Sequence, residues 1–332
     1  MQTIDDFGSV VLAAIAGQEA TVREIDWFYN AQPAGVTLFS RNLSSFPQIQ
    51  SLTKSLQNTR KPGTPPLIIA IDQEGGRVSR LPKPFPDLGP CQKLFPGISD
   101  SSLSKIRSYG RSVGDKLIEL GINTNFAPVC DILTNQNNKA IGDRVFGTTT
   151  SEATPRAEAF LEGQKSSGVI SCLKHFPGQG DADADTHLRP SQINLQISDL
   201  EKRELVPFRH LANKAELVMI SHCIYPALCD KPASLSNKVI NKLLRTDLGF
   251  DGIVVSDDMN MKALPQDQKG WEWAITESLA AGSNLVLVCK DIDKCRRAVA
   301  SIKDRAETEE RFRAQVKESS TKLYKLRKSL AN

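Results

Sequence analysis

The chain has 332 residues, of which 40% are hydrophobic and 24% charged, a composition typical of a globular protein with a substantial core. Its 42 basic and 38 acidic residues leave a net charge of only +4, which argues against a strongly basic nucleic-acid-binding protein. No apolar run approaches the roughly 18 residues that a membrane-spanning helix needs.

Cysteine usage and the N-terminal residues indicate the compartment. Seven cysteines are scattered along the chain without a C-x-x-C pair, and an odd, unpatterned set of thiols is typical of a reduced environment. The apolar run 10–16 follows Asp5 and Asp6, where a secretory signal would be basic. We therefore expect a cytoplasmic protein with no membrane span and no nucleic-acid partner.

Short apolar segments alternate with amphipathic segments along the chain. Eight apolar segments have the length and composition of buried strands, at residues 9–16, 35–39, 67–72, 123–129, 169–174, 217–221, 252–256 and 284–289. The amphipathic segments predict helices at residues 19–30, 47–60, 103–120, 152–167, 199–213, 237–247, 271–281, 292–302 and 307–326. Ser198 and Glu201 have the spacing of a capping box at one helix start.

Eight strand-then-helix units predict an α/β fold, a single (β/α)8 TIM-type barrel with an extra C-terminal helix. No linker, compositional shift or internal repeat divides the sequence, so residues 1–332 are predicted to form a single catalytic barrel domain. A doubly wound open sheet is the alternative, because periodicity alone does not report closure. In a barrel the active site lies at the C-terminal ends of the strands, and the residues that follow each strand are therefore the candidates.

The fifth strand is followed by the stretch with the most chemistry, Lys174 to His187. Lys174 and His175 stand where the apolar run 169–173 leaves the core. Pro177, Gly178 and Gly180 then predict a loop, and this loop contains three aspartates and a second histidine. Such a polar loop on a buried strand is typical of a functional loop on a rigid scaffold.

Polar residues also follow the third, fourth, sixth and seventh strands, namely Asp72 to Arg80, Asp131 with the loop pair Asp143 and Arg144, Ser221 with His222, and Ser256 to Asp258. The Asp143–Arg144 pair is of a kind that is more often structural, and His222 is expected to be a hydrogen-bonded histidine near the rim. Adjacent aspartates are costly to bury unless they are paired or solvated. Since successive strand residues face opposite ways, Asp257 is expected to face the pocket and Asp258 to cap the next helix.

Metal and nucleotide sites fit the central loop poorly. Asp181-x-Asp183-x-Asp185 imitates the start of a calcium loop, but Thr186 replaces the glycine and Gln192 the glutamate that such a loop requires. No histidine spacing supports a zinc or iron site, and no P-loop is present. We therefore predict that the protein needs no metal and no cofactor.

Acid/base chemistry fits the loop better. His187 lies two residues after Asp185, close enough for the carboxylate to hold one ring nitrogen, fix the tautomer and stabilise the imidazolium. The result is a proton donor poised near neutral pH. Asp257, from another strand end, is then the predicted nucleophile.

Four motifs occur in order along the chain: I-D-Q-E-G-G-R-V-x-R at 71–80, I-G-D-R-x-F-G at 141–147, K-H-F-P-G-x-G-x4-D-T-H at 174–187 and S-D-D at 256–258. In these motifs the sequence resembles glycoside hydrolase family 3, in particular its bacterial β-N-acetylglucosaminidases, over nearly its whole length. The resemblance implies a barrel hydrolase that releases terminal, non-reducing β-linked N-acetylglucosamine with retention of configuration.

The same resemblance implies a role for each matching residue. Asp257 is implied as the nucleophile and His187 as the acid/base, assisted by Asp185 in place of a second carboxylate. The implied sugar-binding residues are Asp72, Arg80, Arg144, Lys174 and His175. The single-domain relatives are cytoplasmic enzymes of peptidoglycan recycling, which implies a saccharide or muropeptide substrate, N-acetylglucosamine linked to 1,6-anhydro-N-acetylmuramic acid with or without peptide. A monomer is the expected oligomeric state.

The sequence departs from the family pattern at two places. Gln179 stands where these enzymes often have histidine, and we expect altered loop packing rather than lost chemistry. Residues 259–263 read M-N-M-K-A, where the Gram-negative enzymes have a serine and a later glycine. The alternatives are a β-glucosidase or β-xylosidase of the same family, an N-acetylglucosaminide phosphorylase, or a catalytically silent sugar-binding protein. The Asp185–His187 pair argues against the β-glucosidases, which usually supply a carboxylate, and it leaves the phosphorylase open.

Overall fold

In a computed structural model, which describes residues 7–330, eight parallel strands form a closed barrel in which each strand pairs with the next and β8 pairs with β1. The strands are β1 Val11–Ala13, β2 Gly35–Leu38, β3 Ile68–Ile71, β4 Thr124–Asn125, β5 Ile170–Phe176, β6 Leu217–Ile220, β7 Ile253–Asp258 and β8 Leu285–Leu287. The predicted barrel is confirmed, and all eight predicted strands are present. Asp5 and Asp6 lie outside the described residues.

Helices alternate with the strands and surround them. They are α1 Val22–Ala31, α2 Phe46–Gln57, α3 Asp100–Glu119, α4 Thr150–Lys165, α5 Ile197–Lys202, α6 Leu205–Leu211, α7 Gln268–Ala281, α8 Ile292–Thr308 and α9 Glu310–Ser329, with a π-helix at Lys238–Asp247 before β7. The strands are almost wholly buried, since a barrel strand packs side chains both inward and against the helices. This burial on both faces explains their near-continuous apolar sequences.

Two helix predictions are corrected by the structure. The segment 199–213 is two helices that break at Arg203, because a continuous helix would set the ring of Pro207 against the carbonyl of Arg203. The capping box of Ser198 and Glu201 is wrong. Helix α5 already begins at Ile197 and has no side-chain cap, so Ser198 lies inside the first turn.

Helix α9 packs across the N-terminal end of the barrel, opposite the strand ends that carry the motifs. Phe312, Val316 and Leu323 are its buried apolar residues. Arg327 donates hydrogen bonds to the carbonyls of Pro65, at 2.9 Å, and Pro66, at 2.8 Å, just before β3. The extra C-terminal helix therefore buries one face against the rest of the chain.

Two further features bear on the expected class of protein. Each of the seven cysteines, all within the described part of the chain, is a free thiol. Within residues 7–330 no helix combines the length and the apolar character that crossing a membrane requires.

Candidate active site

One cavity of about 290 Å³ lies at the C-terminal ends of the strands. All eight predicted site residues line it: Asp72, Arg80, Arg144, Lys174, His175, Asp185, His187 and Asp257. Three strands that alternate around the barrel deliver the inner part of the lining, β3 before Asp72, β5 with Lys174, and β7 with Asp257. Alternate strands point side chains into the same layer of such a barrel, which explains why residues distant in sequence converge here.

Lys174 and Glu74 form the buried charged base of the cavity. The Lys174 ammonium lies 2.7 Å from Asp72 Oδ1 and 2.6 Å from Glu74 Oε1, and only 1% of its side chain is exposed. Burial opposes the charged form of Glu74, but Arg144 and Lys174 outweigh it and hold the pKa of Glu74 well below its usual range. Likewise, burial is outweighed by Asp72 and Glu74, which raise the pKa of Lys174. Glu74 and Lys174 are therefore both ionised at neutral pH.

Arg144 braces Glu74 in a two-pronged ion pair, with its Nε and Nη2 each 2.8 Å from one carboxylate oxygen. Its sequence neighbour Asp143 instead faces Arg77, at 3.5 Å. Such a bidentate pair fixes the guanidinium plane. Arg144 therefore reaches the cavity as the partner of a buried carboxylate, and Glu74 is a site residue that we did not select from the sequence.

Arg80 is positioned by its own loop. Its backbone N–H donates to Gln73 Oε1 at 2.8 Å, and Gln73 also donates from Nε2 to Ser79 Oγ at 2.9 Å. The buried Nε of Arg80 has no hydrogen-bond partner within residues 7–330. A buried, unpaired guanidinium nitrogen at a cavity is available to a ligand.

His175 is held by a carboxylate that sequence reasoning did not select. Its Nδ1 lies 2.7 Å from Asp131 Oδ2, and its backbone N–H donates to Asp131 Oδ1 at 3.1 Å. Asp131 is fully buried. The contact places a proton on Nδ1, where it is shared with Asp131. Nε2 is the ring nitrogen that remains outside this hydrogen bond. The position of Asp131 directly after a predicted strand was the only local signal.

His187 and Asp185 form the pair that their spacing indicated. Nδ1 of His187 lies 2.8 Å from Asp185 Oδ1, and its backbone N–H donates to the same oxygen at 2.9 Å. The side chains are 64% and 33% exposed. This arrangement fixes the ring and leaves Nε2 for proton exchange.

Asp257 is a half-buried anion beside histidines. Burial disfavours its charge, but His175, His222 and His187 together hold the pKa of Asp257 below its ordinary value. Its Oδ1 accepts a hydrogen bond from the backbone N–H of Asp258 at 2.8 Å. A carboxylate that is ionised, enclosed and directed at a cavity has the properties of a nucleophile or an electrostatic stabiliser.

Asp258 does not cap the next helix, which corrects the expectation from sequence. Its Oδ1 accepts from Asn260 N at 3.1 Å, Asn260 Nδ2 at 2.8 Å and Cys289 N at 3.1 Å. The chain turns directly after β7 and continues to Asp267, which caps α7. Burial raises the pKa of Asp258. Asp258 thus fastens the turn after β7 to the end of β8.

His222 is the hydrogen-bonded histidine that the sequence predicted. Nδ1 lies 2.7 Å from Ser234 Oγ, and Nε2 lies 3.1 Å from the carbonyl oxygen of Asp258. Burial lowers the pKa of its imidazole. Among the residues that the structure describes, no group of three or more histidine, cysteine or acidic side chains has the arrangement of a metal site.

Comparisons with known proteins agree on one family. The glycosyl hydrolase family 3 N-terminal domain matches residues 10–326. A β-hexosaminidase of Nitrosomonas eutropha is 37% identical over 298 residues, which cover 87% of this chain and 82% of the relative.

Two solved structures resemble the barrel over nearly its whole length. A glycoside hydrolase family 3 β-N-acetylglucosaminidase from Paenibacillus superposes with a TM-score of 0.92 at 29% identity, over 100% of this chain and 64% of that enzyme. NagZ from Neisseria gonorrhoeae, in complex with N-trifluoroacetyl-D-glucosamine, superposes with a TM-score of 0.80 at 28% identity, over 95% and 97% of the two chains.

Proposed function

Because the chain belongs to glycosyl hydrolase family 3 and is a glycosidase, we propose that it is a retaining β-N-acetylhexosaminidase that releases terminal, non-reducing N-acetylglucosamine. One observation carries the proposal: the Asp257 anion and the His187–Asp185 pair line the same cavity. The β-hexosaminidase relative and the glucosamine derivative bound by the Neisseria enzyme support the choice of sugar. The barrel of residues 7–330 is the proposed catalytic domain.

In the first step, a carboxylate oxygen of Asp257 attacks the anomeric carbon and the bond to the leaving oxygen breaks. The sugar becomes covalently attached to Asp257, and positive charge on the anomeric carbon is stabilised by the carboxylate on the way. The lowered pKa of Asp257 keeps this group ionised at neutral pH, as a nucleophile must be.

His187 supplies the proton to the leaving oxygen. Asp185 holds Nδ1 and stabilises the imidazolium, so Nε2 gives up its proton as the bond breaks. The imidazole is then neutral and adds no second anion beside the sugar. In the second step the His187 imidazole takes a proton from water, and the water oxygen attacks the anomeric carbon. The bond to Asp257 breaks, and the sugar is released with its anomeric configuration retained.

The charged network at the base of the cavity is proposed to hold the sugar. Asp72 is the most exposed member of its ion pair, at 20% against 1% for Lys174, and it can accept hydrogen bonds from sugar hydroxyls. Arg80 offers guanidinium donors and His175 offers its second ring nitrogen at the same cavity. Arg144 acts with Glu74, since its guanidinium is fixed by that carboxylate.

The proposed natural substrate is a peptidoglycan fragment, N-acetylglucosamine linked to 1,6-anhydro-N-acetylmuramic acid with or without peptide. The four motifs in order support this choice by resemblance to enzymes of peptidoglycan recycling. A cytoplasmic location and a monomeric state are predictions of the same hypothesis. Incubation of the purified protein with muropeptides, followed by mass spectrometry of the products, tests the substrate directly.

Replacement of His187 by alanine tests the mechanism. With an activated phenolate leaving group, which departs without a proton, formation of the glycosyl-enzyme should survive. With a sugar leaving group the rate should fall about 10²- to 10⁴-fold. A burst followed by slow turnover is expected, and azide should accelerate release because an anionic nucleophile needs no base.

The same assay separates the alternatives. A chromogenic β-glucoside beside the β-N-acetylglucosaminide tests the β-glucosidase hypothesis, and added phosphate tests the phosphorylase, because the dyad would serve either acceptor. His187 is not the acid/base if His187→Ala loses the same factor in rate on activated and natural substrates and shows neither a burst nor an azide effect.

A further inference from the structure

Within the loop 181–190, two neighbouring residues have opposite environments. His187 has 64% of its side chain exposed, whereas Thr186 is fully buried. The loop therefore touches the body of the barrel one residue before the proposed acid/base. Any constraint on Thr186 is transmitted through a single peptide unit to the backbone of His187.

Thr186 contacts two residues that lie outside the segment 181–190. Its Oγ1 accepts a hydrogen bond from Nε2 of Gln179 at 3.1 Å. Its carbonyl oxygen accepts from the backbone N–H of Ala263 at 3.0 Å. Gln179 follows β5, and Ala263 lies in the connection that follows Asp257 in β7. The acid/base loop is thus fastened to the start of its own connection after β5 and to the connection after β7, the strand that carries the proposed nucleophile.

Gln179 is itself held firmly. Its Oε1 accepts from Ser221 Oγ at 3.0 Å, its backbone N–H donates to Asp131 Oδ1 at 2.7 Å, and its carbonyl oxygen accepts from Asn138 Nδ2 at 2.8 Å. Only 3% of the residue is exposed. A side chain with these fixed partners makes a rigid anchor rather than an adaptable one.

We propose that Gln179 and Thr186 are positioning residues, and that their hydrogen bond sets His187 at the distance and angle required for proton transfer to the leaving oxygen. This inference rests on the proposed function, because it gives the contact a purpose only if His187 is the acid/base. Proton transfer demands that donor and acceptor lie within hydrogen-bond distance, and a displacement of about 1 Å lowers a rate by about 10²-fold.

An amide suits this position chemically. The Gln179 side chain accepts one hydrogen bond, from Ser221, and donates another, to Thr186, and an amide does not titrate. A histidine in the same place would lose its acceptor on protonation. The contact therefore keeps one polarity as the pH changes.

The test compares Thr186→Val with wild type on two substrates, one with a sugar leaving group and one with an activated phenolate. Valine keeps the shape and the backbone contact to Ala263 but removes the acceptor hydroxyl. The rate with the sugar leaving group should fall about 10- to 100-fold. The rate of glycosyl-enzyme formation with the phenolate should stay within about threefold of wild type. Gln179→Met should show the same pattern, and Thr186→Ser, which keeps the hydroxyl, should restore the rate.

Thr53→Val is the matched control. Thr53 is buried and donates a single long-range hydrogen bond, to the carbonyl oxygen of Leu120 at 2.9 Å, but it does not line the cavity. Thr53→Val should lower the melting temperature about as much as Thr186→Val does. Its rates with the two leaving groups should change by the same factor.

Two results would overturn the inference. One is an equal loss with both leaving groups in Thr186→Val, and the other is a wild-type rate with the sugar leaving group in a folded Thr186→Val. His187→Ala, assayed in parallel, shows whether the proposed function itself fails. A leaving-group dependence in His187→Ala that is absent from Thr186→Val rejects only the positioning role.

Discussion

The cavity contains two histidine–carboxylate pairs with nearly the same internal geometry. His175 Nδ1 lies 2.7 Å from Asp131, and His187 Nδ1 lies 2.8 Å from Asp185. Their environments differ, because the side chains of the first pair are 7% and 0% exposed and those of the second 64% and 33%. The histidine of the first pair belongs to strand β5, and both residues of the second pair belong to a loop.

This difference assigns different work to chemically similar groups. The buried imidazole has a fixed tautomer and a fixed place, which suits it to hold a sugar hydroxyl and to face the charge of Asp257. The exposed imidazole has access to water and to a leaving group, which a group that donates and then removes a proton requires. Under the proposed function, local burial rather than the hydrogen bond itself distinguishes the proposed sugar-binding histidine from the proposed proton-transfer histidine.

Removal of Asp257, which both pairs face, should have the largest effect. Asp257→Ala eliminates the covalent route, so the rate should fall roughly 10⁴-fold for every leaving group. Steady-state assays with phenolate and sugar leaving groups measure the ratio of the two losses. A loss confined to the sugar leaving group would assign Asp257 to proton transfer and contradict the nucleophile role.

The carboxylates of the two pairs should differ in their effect on stability. Asp131→Asn replaces a buried carboxylate that faces the His175 ring and accepts hydrogen bonds from two backbone N–H groups, and it should lower the free energy of unfolding by about 3 kcal/mol. Asp185→Asn changes a partly exposed pair and should lower it by less than about 1 kcal/mol. Urea denaturation of both variants measures the difference. Equal destabilisation would show that burial does not separate the pairs.

Replacement of the buried histidine should lower the rate without regard to the leaving group. His175→Ala removes a proposed sugar contact and one source of positive field at Asp257, and the loss should be about 10- to 100-fold for both leaving groups. Kinetics of His175→Ala beside His187→Ala provide the comparison. A burst with azide rescue in His175→Ala would mean that the buried pair also transfers protons.

The barrel was predictable from the sequence because each strand is buried on two faces and therefore appears as a short apolar run. The break between α5 and α6 was not predicted, although Pro207 marks it, because the amphipathic pattern continues across it. The role of Asp258 was mistaken because sequence does not show that a turn and an extended segment separate β7 from α7.

The candidate site residues were selected by their position after strands and by the family motifs, and they line one cavity, while their partners were not selected. Asp131 lies 44 residues before His175, and Glu74 lies 70 residues before Arg144, so local spacing carries no signal of either contact. Gln179 was expected to change the loop packing. In the structure, Gln179 donates a hydrogen bond to Thr186 within the same connection.

Glu204 lies between the buried turn at Gly178, which follows β5, and the loop that begins at Asp181. Its side chain packs beneath Gly178, where an added Cβ would lie 2.6 Å from that of Glu204. Arg203 joins the two regions, since Nε donates to Glu204 Oε1 at 2.7 Å and Nη2 lies 3.7 Å from Asp181 at the start of the loop. Burial raises the pKa of the Glu204 carboxyl to about 7, despite Arg203.

The last expected effect is a pH-dependent gain of stability in Glu204→Gln. A carboxyl with a pKa of 4.5 when unfolded and about 7 when folded binds more protons in the native state between these values. The contribution of Glu204 to the stability of the wild type therefore falls as pH rises from 4.5 to 7, whereas a neutral glutamine is unaffected. The difference in unfolding free energy, variant minus wild type, should rise by about 2 kcal/mol between pH 5 and pH 8. Urea denaturation of both proteins across this range measures it, and contributions from other carboxyl groups cancel in the difference. A difference that stays constant with pH would mean that Arg203 keeps Glu204 ionised throughout.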